Sequence, residues 1–188
     1  MIRTLLDADL DAASTVCMRA FLMAVAPSLA AHGVATFRMI AAPDGFAQRR
    51  DRDNLQLVYD ASGQLQGVGE LKQRRRVAML FVDPACQRQG VGEALLAALV
   101  AQARTEVLTV SASLPSVGFY ARHGFQCAGD VAESAGLVYQ PMQRTLVAGA
   151  AESHAASRPS CALFTRAGRA RDYRDCLSVI PFREKGSA

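Results

Sequence analysis

The sequence predicts an α/β fold, a single mixed sheet with helices packed on its faces. Three observations carry that prediction. Val77 to Val82 is apolar at every position, as in a strand covered on both faces. Two alternating segments, at 55–59 and 65–72, come just before it and read as half-buried strands. Segments with apolar residues at helical spacing, at 7–25 and 91–104, stand before and after this strand-rich centre.

In chain order, Asp7 or Asp9 can cap a first helix over 7–25, in which Leu10, Ala13, Val16, Cys17, Ala20 and Phe21 share a face. Pro27 ends it, and 28–50 reads as short helical pieces broken at Gly33 and at Pro43-Asp44-Gly45. The strands at 55–59 and 65–72 are joined by a turn at Ala61-Ser62-Gly63. Asp83-Pro84 stops the third strand. Val91, Leu95, Leu96, Leu99, Val100 and Ala103 then line one face of a helix, followed by a short strand at 107–111. Ser113 to Arg122 reads as a helix closed by Gly124, and strands at 125–130 and 138–146 complete the sheet. The pattern covers residues 1–146 as one domain. Beyond Val147 it fails, so 147–188 is expected to be a flexible extension, with a helix over 169–177 as the alternative.

Composition narrows the classes of function. In these 188 residues no stretch approaches the ~18 uncharged apolar residues of a membrane helix. Asp7, Asp9 and Asp11 stand where a signal peptide would carry its basic flank and apolar run, so a cytoplasmic location is expected. The five cysteines and three histidines are scattered without metal-ligand spacing, so reduced thiols and no metal are expected. The net charge is +4, but 147–188 carries seven basic and four acidic residues, and the rest is close to neutral. Arg74 to Arg76 is the one dense basic cluster before 147, and it lacks interleaved aromatics. It reads as a solvated turn, and no nucleic-acid partner is expected; binding through 158–174 is the competing reading.

The chemistry concentrates in Gln87-Arg88-Gln89-Gly90-Val91-Gly92, which joins a buried strand to a helix. Glycines at 90 and 92 let backbone N–H groups converge, and the helix start adds unpaired donors and the positive end of its dipole. Such a socket suits a diphosphate. Two nucleotide patterns fail on residues. A P-loop needs Lys and then Ser or Thr after its last glycine, where Glu93 and Ala94 stand. The dinucleotide fingerprint needs a small residue where Leu95 stands.

Leu80-Phe81-Val82-Asp83-Pro84 followed by Gln87 to Gly92, and Ser113 to Ser116 followed by Phe119-Tyr120-Ala121-Arg122-His123-Gly124-Phe125, resemble the two motifs of the GNAT superfamily of acyl-CoA-dependent N-acetyltransferases. Ala135-Gly136-Leu137 through Met142 is similar to the closing strand of many small bacterial members. The resemblance covers roughly 1–146 and implies a mixed, mostly antiparallel, twisted sheet flanked by helices. It implies acetyl-CoA as cosubstrate and direct transfer of the acetyl group to an amine of a small molecule or protein. Homodimerisation is also plausible for such domains.

The resemblance also implies roles for individual residues. Phe81 and Val82 would offer a strand edge to the two amides of the pantetheine arm, with the Val82 N–H aimed at the thioester oxygen. Arg88, Gln89, Gly90, Val91 and Gly92 would hold the diphosphate through backbone amides, assisted by the Gln87 and Arg88 side chains. Tyr120 would give a proton to the departing thiolate, the alternative being a tyrosine that only packs against Phe119 and Phe125. Glu70, placed in the strand hairpin beside the expected cleft, is the candidate to take the amine's proton, or else an exposed strand glutamate. Ser113 stands where many members carry an asparagine that helps hold pantetheine, and Arg76 where bacterial relatives often have histidine. Arg74 to Arg76 would favour an acidic or phosphorylated acceptor if they are more than a solvated turn. Residues 20–50 and the hairpin of the 60s and 70s are expected to line the acceptor site. An acyl-CoA-binding sensor without turnover is the alternative to an enzyme.

Overall fold

Strand formation starts earlier than alternation alone indicates. The computed structural model describes residues 1–50 and 53–146, and in it Ile2–Thr4 already pairs as strand β1. The elements that follow are α1 (Leu10–Ala24), α2 (Ala31–Ile40), α3 (Pro43–Gln48), β2 (Leu55–Ala61), β3 (Gln64–Lys72) and β4 (Arg76–Val82). Then come α4 (Val91–Ala101), β5 (Val107–Ala112), α5 (Leu114–Arg122), β6 (Gln126–Cys127), β7 (Ala132–Ser134) and β8 (Leu137–Thr145). The expectations for 147–188 and for a nucleic-acid contact at 158–174 lie outside the described residues.

The first helix begins at Leu10, and Asp9 at its N-cap accepts no capping bond from it. Its carboxylate is engaged elsewhere, by Arg3 Nη1 at 2.5 Å and by the Leu6 N–H at 2.8 Å. Arg3 also donates to Asp60 of β2 at 2.7 Å, tying β1 to both. The Arg3 guanidinium holds the Asp9 and Asp60 carboxyls below the usual carboxylate range.

The strands follow the order β1-β2-β3-β4-β5-β8-β6, with β7 paired to β8. Every pairing is antiparallel except β4 with β5. Helices cover both faces, which is why Val77 to Val82 carries no polar residue. On one face α1, α2 and α3 bury Phe21, Phe37 and Phe46 against Val58, Val68 and Met79. Phe21 and Phe37 stack with ring centroids 3.9 Å apart. On the other face Leu95, Leu96 and Leu99 of α4 pack with Leu71, Val77, Leu108 and Met142. Each such fully buried side chain contributes ~1.5–3 kcal/mol. Gly67 sets the closeness of α4, since a Cβ there would lie 2.7 Å from Leu95 Cδ1.

One local feature positions the site. β3 stays paired with β4 up to Gly67↔Val82, whereas β5 pairs with β4 only at Arg76↔Thr109 and Val77↔Val110. Beyond Val77 the two parallel strands diverge and leave the β5-side edge of β4 without a strand partner. A bulge between Glu70 and Leu71 shifts the register on the opposite edge at the same level, where it increases local twist.

Candidate active site

Backbone polarity along the open edge follows from the antiparallel ladder, in which alternate residues exchange hydrogen bonds with one neighbour and turn away at the next. The Asp83 N–H donates to Gln66 O at 2.8 Å, so Phe81 also faces β3 and the Val82 N–H and C=O face the opening. The Gln87 amide confirms the direction, because its Nε2 donates to Val82 O at 3.2 Å across that edge.

The chain then turns from strand to helix. Asp83 is buried; its Oδ1 accepts from the Ala85 N–H at 2.9 Å and its Oδ2 from Arg19 of α1 at 2.7 Å. This carboxylate locks the turn and ties α1 to the end of β4, a role hidden behind the simple stop signal of Asp83-Pro84. Arg88 and Gly90 both take positive φ, 59° and 82°. Gly90 is the residue before α4, where a side chain would be strained even though open space surrounds it. Among the described residues, none of the backbone N–H groups from Gln87 to Gly92 donates to a backbone carbonyl. They stand at the start of an 11-residue helix, with its dipole behind them.

These features border a cavity of about 530 Å³ that runs from the open edge to the loop. Leu80, Phe81 and Val82 form its floor, Gln87, Arg88, Gly90 and Gly92 one end, and Ser113, Ser116, Phe119 and Tyr120 the α5 wall. Arg88 and Arg122 face it with Glu93 as the acidic counterpart, so its rim is net positive. Ala20, Ala24 and Val25 of α1 close the side. Gln89 does not line the cavity; its Nε2 bonds Ala85 O at 3.1 Å. The Val91 side chain is buried in the α4 core, so only its backbone N–H faces the loop.

Tyr120 borders the cavity yet is only 2 % exposed, held edge-on between Phe119 and Phe125 at 5.3 Å from each. Burial pushes its phenol pKa up, so the group keeps its proton through neutral pH. Its hydroxyl has no hydrogen-bond partner among the described residues. Ser113 donates to Ser116 Oγ at 2.7 Å, and Ser116 returns a bond to Ser113 O at 2.8 Å, which fixes the start of α5 at the cavity wall. Next to it, His123 bonds Phe119 O through Nδ1 at 2.8 Å. A carbonyl only accepts, so Nδ1 carries the proton and Nε2 of the neutral ring is the acceptor.

Glu70 is elsewhere. It is 0 % exposed and borders neither cavity described here; both carboxylate oxygens lie 3.1 Å from Arg49 Nε. Gln56 adds a bond at 3.3 Å. Glu70 therefore belongs to a buried ion pair beneath α1 and α3, and the expected carboxylate beside the cleft is corrected to a structural group. Its inward position in β3 is possible because α3 ends by delivering Arg49, which also donates to Ile40 O at 2.8 Å. Neither partner could be matched to the other from sequence spacing.

The Arg74 to Arg76 cluster also divides. Arg75 is exposed and Arg74 reaches Gln102 Oε1 at 3.4 Å, as in a turn. Arg76 instead begins β4 and borders a second cavity, of about 510 Å³, walled by β5 and β8. Residues 20–50 and the β2–β3 hairpin do not line that cavity. Among the described residues no group of three or more His, Cys, Asp and Glu is placed to hold a metal ion, and no helix is long and apolar enough to cross a membrane. Cys17, Cys86 and Cys127 are free thiols, the first buried.

A sheet split between two parallel strands, with a donor-rich loop at the mouth, defines the class: an acyltransferase-type α/β domain. Residues 25–146 match the family described as the acetyltransferase (GNAT) domain, and the chain belongs to that family. Its fold is similar to that of a GCN5-related N-acetyltransferase from Rhodopseudomonas palustris, with a TM-score of 0.69, 23% identity, and coverage of 78% of this chain and 95% of that one. It is also similar to the PaiA N-acetyltransferase of Thermoplasma acidophilum in complex with coenzyme A, with a TM-score of 0.66, 19% identity, and coverage of 78% and 98%. A third similar structure is YncA of Salmonella typhimurium with its cofactor acetyl-CoA, with a TM-score of 0.62, 21% identity, and coverage of 82% and 98%. No curated protein matches the chain significantly in sequence.

Proposed function

We propose that this protein transfers the acetyl group of acetyl-CoA directly to a primary amine, within the first cavity. The observation that carries the reading is the unpartnered β4 edge running straight into a loop of unpaired amides. An edge strand suits the amide-bearing pantetheine arm, and a net-positive helix start suits the diphosphate. The coenzyme A and acetyl-CoA bound in the Thermoplasma and Salmonella proteins support the same cosubstrate here.

Each residue then has a task. The amides of Arg88 to Gly92 and the Arg88 side chain hold the diphosphate, while Ser113 borders the pantetheine path. The Val82 N–H, turned to the open edge, meets the thioester oxygen as negative charge develops on it. The amine lone pair forms the C–N bond as the C–S bond breaks, leaving an acetamide and a free thiol. Tyr120, protonated and walled by aromatics, supplies a proton to the departing sulfur, and its phenolate regains one from the nitrogen as that sheds its proton to become an amide. Holding both reactants along one cleft contributes much of the acceleration. No step is assigned to Glu70.

Purified protein supplied with acetyl-CoA and a panel of primary amines is expected to release free coenzyme A thiol at a rate that depends on the amine. Coenzyme A binding without amine-dependent thiol release would contradict transfer and leave a sensor.

A further inference from the structure

Arg76 is a half-buried cation that the fold leaves without an anion. Its guanidinium donates to the Ser111 hydroxyl, and among the described residues no carboxylate lies within ion-pair reach of it. A guanidinium has five N–H donors, and taking it out of water with one hydroxyl as its partner is costly. Burial accordingly disfavours its charged form.

The surroundings are built the same way. The second cavity has no Asp or Glu in its wall, which offers Thr109, Ser111, Ser134, Tyr139 and Gln143 around Arg76. Val77 packs toward α4, so Arg76 points to the opposite face of the sheet, the one that carries Met79 and Phe81. Arg76 and Ser111 stand where β4 and β5 begin to diverge, and the first cavity, with Val82 and the amide loop, lies further along β4. Val82 is six residues further along β4, ~20 Å of strand. An extended acceptor could reach from Arg76 toward the open edge.

Resting on the acetyl-transfer reading above, we infer that the second cavity is the acceptor pocket and that Arg76 selects amines bearing a carboxylate or a phosphate. The anion completes the guanidinium's hydrogen bonds while the amine extends toward the β4 edge. Amines of the same length that lack an anionic group leave Arg76 unpaired and bind less well.

Calorimetry on the full chain loaded with coenzyme A tests this without requiring turnover. The probes are matched pairs: ω-amino carboxylates of increasing length against the corresponding n-alkylamines, and O-phosphoethanolamine against ethanolamine. The anionic member of at least one pair should bind about 10- to 100-fold more tightly, and the pairs distinguish carboxylate from phosphate. In Arg76→Gln that preference should fall to near unity, and Arg76→Lys should restore part of it; coenzyme A titration shows that each variant is folded. Equal affinity within every pair for the native chain, or a preference unchanged in Arg76→Gln, overturns the inference and leaves acetyl transfer standing. Anion preference that depends on Arg76, without acetyl transfer to any amine, sustains the Arg76 site and overturns the proposed reaction instead.

Discussion

Tyr120→Phe is expected to lower kcat by about 10²- to 10⁴-fold, the usual contribution of a positioned proton donor. Coenzyme A affinity should stay within a factor of about two, because the change removes only one oxygen. Stability should also hold, since phenylalanine keeps the edge-on contacts with Phe119 and Phe125 and the lost hydroxyl has no protein partner among the described residues. The pH dependence adds a second test. Burial raises the phenol pKa above its ordinary value, so the donor form persists to higher pH, and turnover should not fall near the ordinary tyrosine value of ~10. Stopped-flow turnover with coenzyme A titration separates the two quantities. Unchanged kcat would reduce Tyr120 to a packing residue.

Arg49→Met is expected to cost about 3–5 kcal/mol of stability, read as a lower urea midpoint. Glu70 is wholly buried, and Arg49, at 25% side-chain exposure, is its charged partner. Removing the cation strands a wholly buried carboxylate to which, among the described residues, only Gln56 still donates. The double variant Arg49→Met/Glu70→Met should recover most of the loss, because a buried pair replaced by apolar groups of similar size is often near neutral. Its kcat should match the parent at a temperature where both are folded. A folded double variant without turnover would return Glu70 to the chemistry.

The parts readable from sequence are those determined within a few residues. Val77 to Val82 had to be a covered strand, and the glycine-bearing loop before an amphipathic helix had to present amides. The structure keeps both, with Gly90 in the left-handed conformation at the start of α4. The parts that escaped are set by partners far along the chain. β1 and β7 have three residues each, too short for alternation to show, and they exist because β2 and β8 offer edges. Asp9 looked like a cap until Arg3 claimed it. Glu70 reads from sequence as a base beside the cleft, or else an exposed strand glutamate, because Arg49, 21 positions earlier, gives no local sign of its role. Arg76 looked like part of a solvated turn, and only the pairing of β5 with β8 encloses it.

Amide hydrogen exchange with and without coenzyme A tests the central claim most directly. The account predicts that the ligand slows exchange at Val82 and across Arg88 to Gly92, the amides that point to the open edge or lack a backbone partner. Protection confined to other segments, or none at saturating coenzyme A, would contradict it.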